Sequence, residues 1–140
     1  MRQKIQLIQE IVAAHQLIQD YFKKTLSPFG LNFKEFSVLE HLFQEGRQPI
    51  QKLGRRGLAT SSNITYIVDK LEKKGFVKRK PCANDRRVIY ACITDQGREL
   101  IEQIMPVIEQ KLASIFQNCT DEEINTSLTL LNKLEKQMNG

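Results

Sequence analysis

A chain of 140 residues, 41% apolar and 26% charged, can build one compact domain, or one with helical extensions, and its apolar runs are too interrupted to span a bilayer. Three widely spaced cysteines, Cys82, Cys92 and Cys119, make no disulfide framework and, with two histidines, no zinc signature, so reduced thiols in a cytoplasmic setting and no metal or cofactor are expected. The net charge of +5 is unevenly placed: Arg47 to Tyr90 holds twelve bases against three acids, a net of +9, and the remainder nets −4, which is an electrostatic footprint for a polyanion.

The chain opens on Met1-Arg2-Gln3-Lys4, which leads into an amphipathic pattern and not into a secretory apolar stretch. Ile5, Ile8, Val12, His15 and Phe22 recur at helical spacing and predict a helix from about Gln3 to Thr25, ended by Ser27-Pro28-Phe29-Gly30. A second helix is expected from Asn32 or Phe33 to Glu45, with Asn32 and Glu35 as a capping box and Phe36, Leu39, Leu42 and Phe43 as its buried stripe. After an extended Arg47-Gln48-Pro49, a short helix from Ile50 to Arg56 turns inward Ile50 and Leu53, with Gly57 as C-cap and Leu58-Ala59 as the turn.

Thr60 or Ser61 can cap the next helix, which runs to Lys74 and stops at Gly75. Phe76 to Lys80 and Val88 to Thr94 read as two strands of a hairpin, with the polar, cationic Pro81-Cys82-Ala83-Asn84-Asp85-Arg86-Arg87 as its tip. Thr94-Asp95-Gln96-Gly97 opens a long helix bearing Leu100, Ile101, Ile104, Ile108, Leu112, Ile115 and Phe116, which Pro106 should kink. Thr120 with Glu123 caps a last helix expected to bury Ile124, Leu128, Leu131, Leu134 and Met138.

The helix from Ser61 to Lys74 divides sharply at 100° per residue. Ile64, Ile67, Val68 and Leu71 gather on one side, and Ser62, Asn63, Tyr66, Lys70 and Lys73 on the other. Short hydrogen-bonding side chains near the N-terminus suit base edges in a major groove, and the lysines beyond them suit phosphates. The hairpin tip adds Arg86 and Arg87, narrow enough to enter a minor groove. Asp85 beside them is expected to pair with Arg87 and hold the tip in shape.

The run Leu53-Gly54-Arg55-Arg56-Gly57-Leu58-Ala59-Thr60-Ser61-Ser62-Asn63-Ile64-Thr65-Tyr66-Ile67-Val68-Asp69-Lys70-Leu71-Glu72 resembles the helix-turn-helix of MarR-family regulators. Gly75-Phe76-Val77, Asp85-Arg86-Arg87 and Ile93-Thr94-Asp95-Gln96-Gly97 match that family's wing and the start of its next helix. The resemblance implies a mainly α fold with a small β-hairpin wing. Residues 31–95 would form a winged helix-turn-helix DNA-binding domain, and residues 1–30 and 96–140 a helical dimerisation region. It further implies a homodimeric repressor of the cytoplasmic nucleoid, bound to double-stranded DNA at a palindromic operator and to no membrane. The apolar terminal helices favour a dimer independently, because a 140-residue monomer could not easily hide them.

The residues expected at DNA are Thr60, Ser61, Ser62, Asn63, Thr65, Tyr66, Lys70, Lys73, Arg79, Asp85, Arg86 and Arg87. A phenolic or quinone-type effector, or thiol oxidation, would release the operator. Candidates for an effector cleft are His15, Tyr21, Phe22, Phe36 and His41, though each residue type also suits plain core. The hydroperoxide-sensing branch of the family uses a cysteine in its N-terminal helix, and this chain has none before Cys82. Cys82 is instead the redox candidate, since Lys78, Arg79, Lys80, Arg86 and Arg87 nearby should lower its pKa. Catalysis is not expected, as the sequence offers no nucleophile–base pair, Gly-rich phosphate loop or metal-ligand cluster. The competing reading is a winged-helix module that binds protein without reading DNA.

Overall fold

The computed structural model describes residues 1–55 and 61–139, which cluster into two compact units, Met1–Met105 and Pro106–Gly140. In the first unit, α1 (Arg2–Leu26) runs into a single 3₁₀ turn at Ser27–Phe29, with Pro28 in its first positions and Gly30 closing it at φ 75°. α2 (Phe33–Glu45) starts at the expected capping box: the Glu35 N–H donates to Asn32 Oδ1 at 2.8 Å, and the Asn32 N–H donates to Glu35 Oε1 at 3.0 Å. α3 (Ile50–Arg55) and α4 (Ser61–Lys73) follow. Arg56, the expected cap Gly57, the turn Leu58-Ala59 and Thr60 lie outside the described residues.

The sheet has three strands where two were expected. β1 (Gln48–Pro49), β2 (Val77–Pro81) and β3 (Ile89–Ile93) form an antiparallel sheet in the order β1-β3-β2. The segment before α3, read as merely extended, pairs Gln48 with Ala91 and Pro49 with Tyr90. Proline is tolerated there because β1 is an edge strand. β2 pairs with β3 from Val77↔Ile93 to Pro81↔Ile89, so the strands start and stop one residue away from the expected bounds.

The core of this unit joins α1, α2, α3, α4 and the sheet. Phe22 and Leu26 of α1, Val38, Leu39 and Leu42 of α2, Leu53 of α3 and Ile64, Ile67, Val68 and Leu71 of α4 are each no more than 4% exposed. Burying each such side chain stabilises the fold by roughly 1.5–3 kcal/mol. All four apolar positions expected on α4 are thus buried, which leaves its polar side outward. Ile50 and Phe43, expected inward, are only half-buried at the ends of their elements.

α5 (Asp95–Ile115) begins directly after β3, and the junction is tight. Thr94 Oγ1 donates to the Gly75 carbonyl at 2.6 Å and accepts the Gly97 N–H at 3.1 Å. A Cβ on Gly97 would collide with the carbonyl oxygen of Phe76, so this position needs glycine for clearance. The helix continues through Pro106, where the boundary between the two units falls. Thr120 caps α6 (Asp121–Asn139) through the expected box: its Oγ1 accepts the Glu123 N–H at 3.0 Å, and its own N–H donates to Glu123 Oε1 at 2.9 Å.

The stripe expected to be buried on α6 is largely exposed. Leu128, Leu131 and Met138 are 54%, 38% and 73% exposed, and Ile124 and Leu134 are half-buried. Ile5, Ile8 and Val12 on α1, Leu112 and Ile115 at the end of α5, and Phe116 just beyond it are exposed as well. The periodicity marks apolar faces on all three helices, and these positions are exposed.

Candidate nucleic-acid interface

The outward side of α4 follows from its inner stripe. With Ile64, Ile67, Val68 and Leu71 packed, Asn63 is half-buried at the rim and Thr65, Tyr66, Lys70 and Lys73 are exposed. Ser61 and Ser62 form the start of the same helix. The Lys70 ammonium lies 5.0 Å from the centroid of the Tyr66 ring, and its hydrogen bond to Tyr66 holds its pKa above the ordinary lysine value. The helix therefore presents an aromatic and two cations beyond an uncharged first turn.

Two ion-pair systems fix α4 in the domain. Lys74, just past its end, donates to the Gly30 carbonyl at 2.7 Å and to Glu35 Oε2 at 2.9 Å. Glu35 is 4% exposed and also serves the α2 capping box, so one carboxylate ties α4 to the turn between α1 and α2. The sequence marked Glu35 only as a cap, and nothing local revealed Lys74 as its partner. At the other side, Arg79 of β2 reaches Asp69 at 2.5 Å and Glu72 at 2.6 Å, both on α4. The guanidinium of Arg79, a residue expected at DNA, is held by these two carboxylates, and it braces the wing against α4.

The wing tip is closed by backbone bonds, with the Cys82 N–H donating to the Val88 carbonyl at 2.9 Å and the Val88 N–H to the Asp85 carbonyl at 3.1 Å. Asp85 Oδ1 accepts the Arg87 N–H at 3.0 Å and its Nε at 3.2 Å, the pairing expected from sequence. Arg87 remains 92% exposed despite this bond, and Arg86 is exposed beside it. Such a bond contributes little stability at the surface, and its effect is to orient the tip. A recess of about 330 Å³ between wing and helices brings Thr65, Arg79 and Arg87 to one concave surface with Ile50 and Ile89.

Cys82 has its pKa lowered, but not by the cause expected. The N–H groups of Asn84 and then Asp85 stabilise the thiolate, with a weaker hydrogen bond from Tyr90, against opposition from burial and the Asp85 charge. The basic side chains nearby are not what lowers it. Of the effector-cleft candidates, Phe22 and Phe36 are 4% and 7% exposed and belong to the core. Phe33 links them, with ring centroids 5.2 Å from Phe22 and 6.3 Å from Phe36, and Tyr21 meets Phe22 edge-on at 5.3 Å. Tyr21 is the exposed member of that cluster. His15 sits on exposed α1 within 3.3 Å of Gln19, and His41 is half-buried on α2. Among the described residues no group of three or more His, Cys, Asp or Glu could hold a metal ion, and no helix is long and apolar enough to cross a membrane.

Comparison with known proteins places this geometry. Residues 31–89 match the model of the MarR family. The chain is 37% identical over 121 residues to the HTH-type transcriptional regulator MhqR of Bacillus subtilis, covering 86% of this chain and 83% of the relative. The transcriptional regulator BldR of Sulfolobus solfataricus superimposes with a TM-score of 0.82 at 28% identity, over 96% of each chain. Reduced AbfR, solved bound to DNA, matches with a TM-score of 0.80 at 26% identity, over 99% of this chain and 95% of that one.

Proposed function

The chain belongs to the MarR family of transcriptional regulators, and on that premise we propose that it is a homodimeric, sequence-specific repressor acting on double-stranded DNA in the cytoplasm. The observation that carries this reading is the division of α4. Its apolar side is wholly buried, and its polar side, from Asn63 through Tyr66 and Lys70 to Lys73, stands free beside a wing tip loaded with arginine. Asn63, with Ser61, Ser62 and Thr65, addresses base edges in the major groove, while Lys70 and Lys73 address phosphates. Arg86 and Arg87, shaped by Asp85, enter the adjacent minor groove. Arg79 contributes by bracing α4 and wing. DNA binding by AbfR, a relative of the same fold, supports this assignment.

In this reading residues 31–95 recognise DNA, and residues 1–30 and 96–140 pair two copies. The uncovered apolar faces of α1 and α6 support that pairing, since a second copy would cover what the chain leaves exposed. Two copies related by a two-fold read a palindrome. A small phenolic or quinone-type ligand, or oxidation of Cys82, then loosens the grip. Tyr21, exposed at the edge of the aromatic cluster, is the leading effector contact.

Binding of fluorescent duplexes selected from genomic DNA tests the assignment. Arg86→Ala should weaken binding about tenfold, roughly 1.4 kcal/mol. Asn63→Ala should erode the preference for the selected site over random DNA by roughly 1–3 kcal/mol. Unchanged affinity in Arg86→Ala together with unchanged preference in Asn63→Ala would overturn it.

A further inference from the structure

The face of the wing sheet turned away from α4 carries a second cationic surface. Along β2 side chains alternate between faces. Arg79 is bound to Asp69 and Glu72 on α4, and its register partner Ala91 is fully buried, so this face lies toward the domain. Lys78 and Lys80, paired in register with Cys92 and Tyr90, therefore occupy the opposite face, and both are exposed. Arg47 joins them across the sheet, its guanidinium 4.7 Å from the centroid of the Tyr90 ring. Among the described residues these three cations enter none of the ion pairs, whereas Arg79 and Arg87 do. A recess of about 490 Å³ on this face is lined by both lysines together with Cys92, Thr94 and Asp95, the last being its one acid.

We propose that Arg47, Lys78 and Lys80 form a second phosphate-binding surface, which holds the duplex flanking the operator half-site beyond the wing tip. The inference rests on the reading that the tip engages DNA. The partner is identified by continuity and charge. Lys80 lies two residues from Cys82, whose N–H closes the tip, so a duplex gripped by Arg86 and Arg87 continues past this face. Lys78 and Lys80 stand roughly 6.6–6.8 Å apart along the strand, close enough to serve neighbouring phosphates of one DNA strand. A lysine binds phosphate as a point charge without base preference, so these contacts lengthen the footprint and add affinity but no sequence specificity.

The test uses the full chain and two duplexes carrying one selected site. One duplex ends at the outer limit of wing-tip protection; the other extends about ten base pairs, one helical turn, on each side. The parent should bind the longer duplex more tightly and with a steeper salt dependence. Lys78→Gln/Lys80→Gln should remove that advantage and lower the log–log salt slope by roughly one per lost phosphate contact, while leaving affinity for the short duplex within twofold. Lys78→Arg/Lys80→Arg should restore it. The inference is overturned if the glutamine variant weakens both duplexes equally, or if it keeps the preference for the longer one. Failure of the parent to bind either duplex would instead overturn the reading of the tip.

Discussion

At the residue scale, the same charge means different things according to what surrounds it. Arg79 and Arg87 are both wing arginines with carboxylate partners, yet Arg79 is 24% exposed and held by two acids, while Arg87 is 92% exposed and held by one. The first is a brace, and the second is shaped by Asp85 and left free for the proposed DNA contact. Sequence marked both as DNA residues, because Asp69 and Glu72 lie on the preceding helix and their approach to β2 is a product of folding. Asp85, two residues from Arg87, was close enough in the chain to be read correctly. Cys82 makes the same point about causes, since backbone N–H groups of the tip lower its pKa where the neighbouring cations were expected to act. A thiol with a lowered pKa remains thiolate, and nucleophilic, at lower pH than an ordinary one. Alkylation of Cys82, followed by mass spectrometry against pH, should show a midpoint below that of a small-molecule thiol, and Tyr90→Phe should raise it. A midpoint at or above the free thiol would contradict the hydrogen-bonded geometry of the tip.

At the element scale, what was legible was what local chemistry determines. α2 and α6 begin where their capping boxes sit, and α4 buries the four apolar residues its period requires. β1 was legible only as an extended segment, because a two-residue strand exists through its pairing with β3, some forty residues away in sequence. The cap of α2 has a wider role than its own helix, since Glu35 also receives Lys74 from the end of α4. Asn32→Ala removes the side-chain acceptor for the Glu35 N–H and should cost about 1 kcal/mol of stability in urea denaturation. The Lys74–Glu35 contact should persist in that variant, so DNA affinity measured well below the unfolding midpoint should stay within about twofold of the parent. A stability equal to the parent's would contradict the capping geometry.

At the scale of the whole molecule, the exposed stripes of α1 and α6 and the polar side of α4 call for different partners. The apolar stripes call for another apolar surface, which a second copy would supply in the proposed dimer, and the polar, cationic surfaces call for a polyanion. Periodicity showed the first stripes clearly in the sequence but carries no information on what covers them, which is why α6 was expected to be buried while Leu128, Leu131 and Met138 are exposed. The concentration of +9 between Arg47 and Tyr90 likewise showed the second without separating bracing cations from free ones. The central claim, that two copies use α4 and the wing to read a palindrome, is tested most directly by hydroxyl-radical footprinting on duplexes selected from genomic DNA. The account predicts two protected segments related by a dyad, their centres roughly 34–36 Å or a multiple apart, with protection lost steeply as salt rises. A single unsymmetrical protected segment, or protection that persists unchanged at high salt, would contradict it.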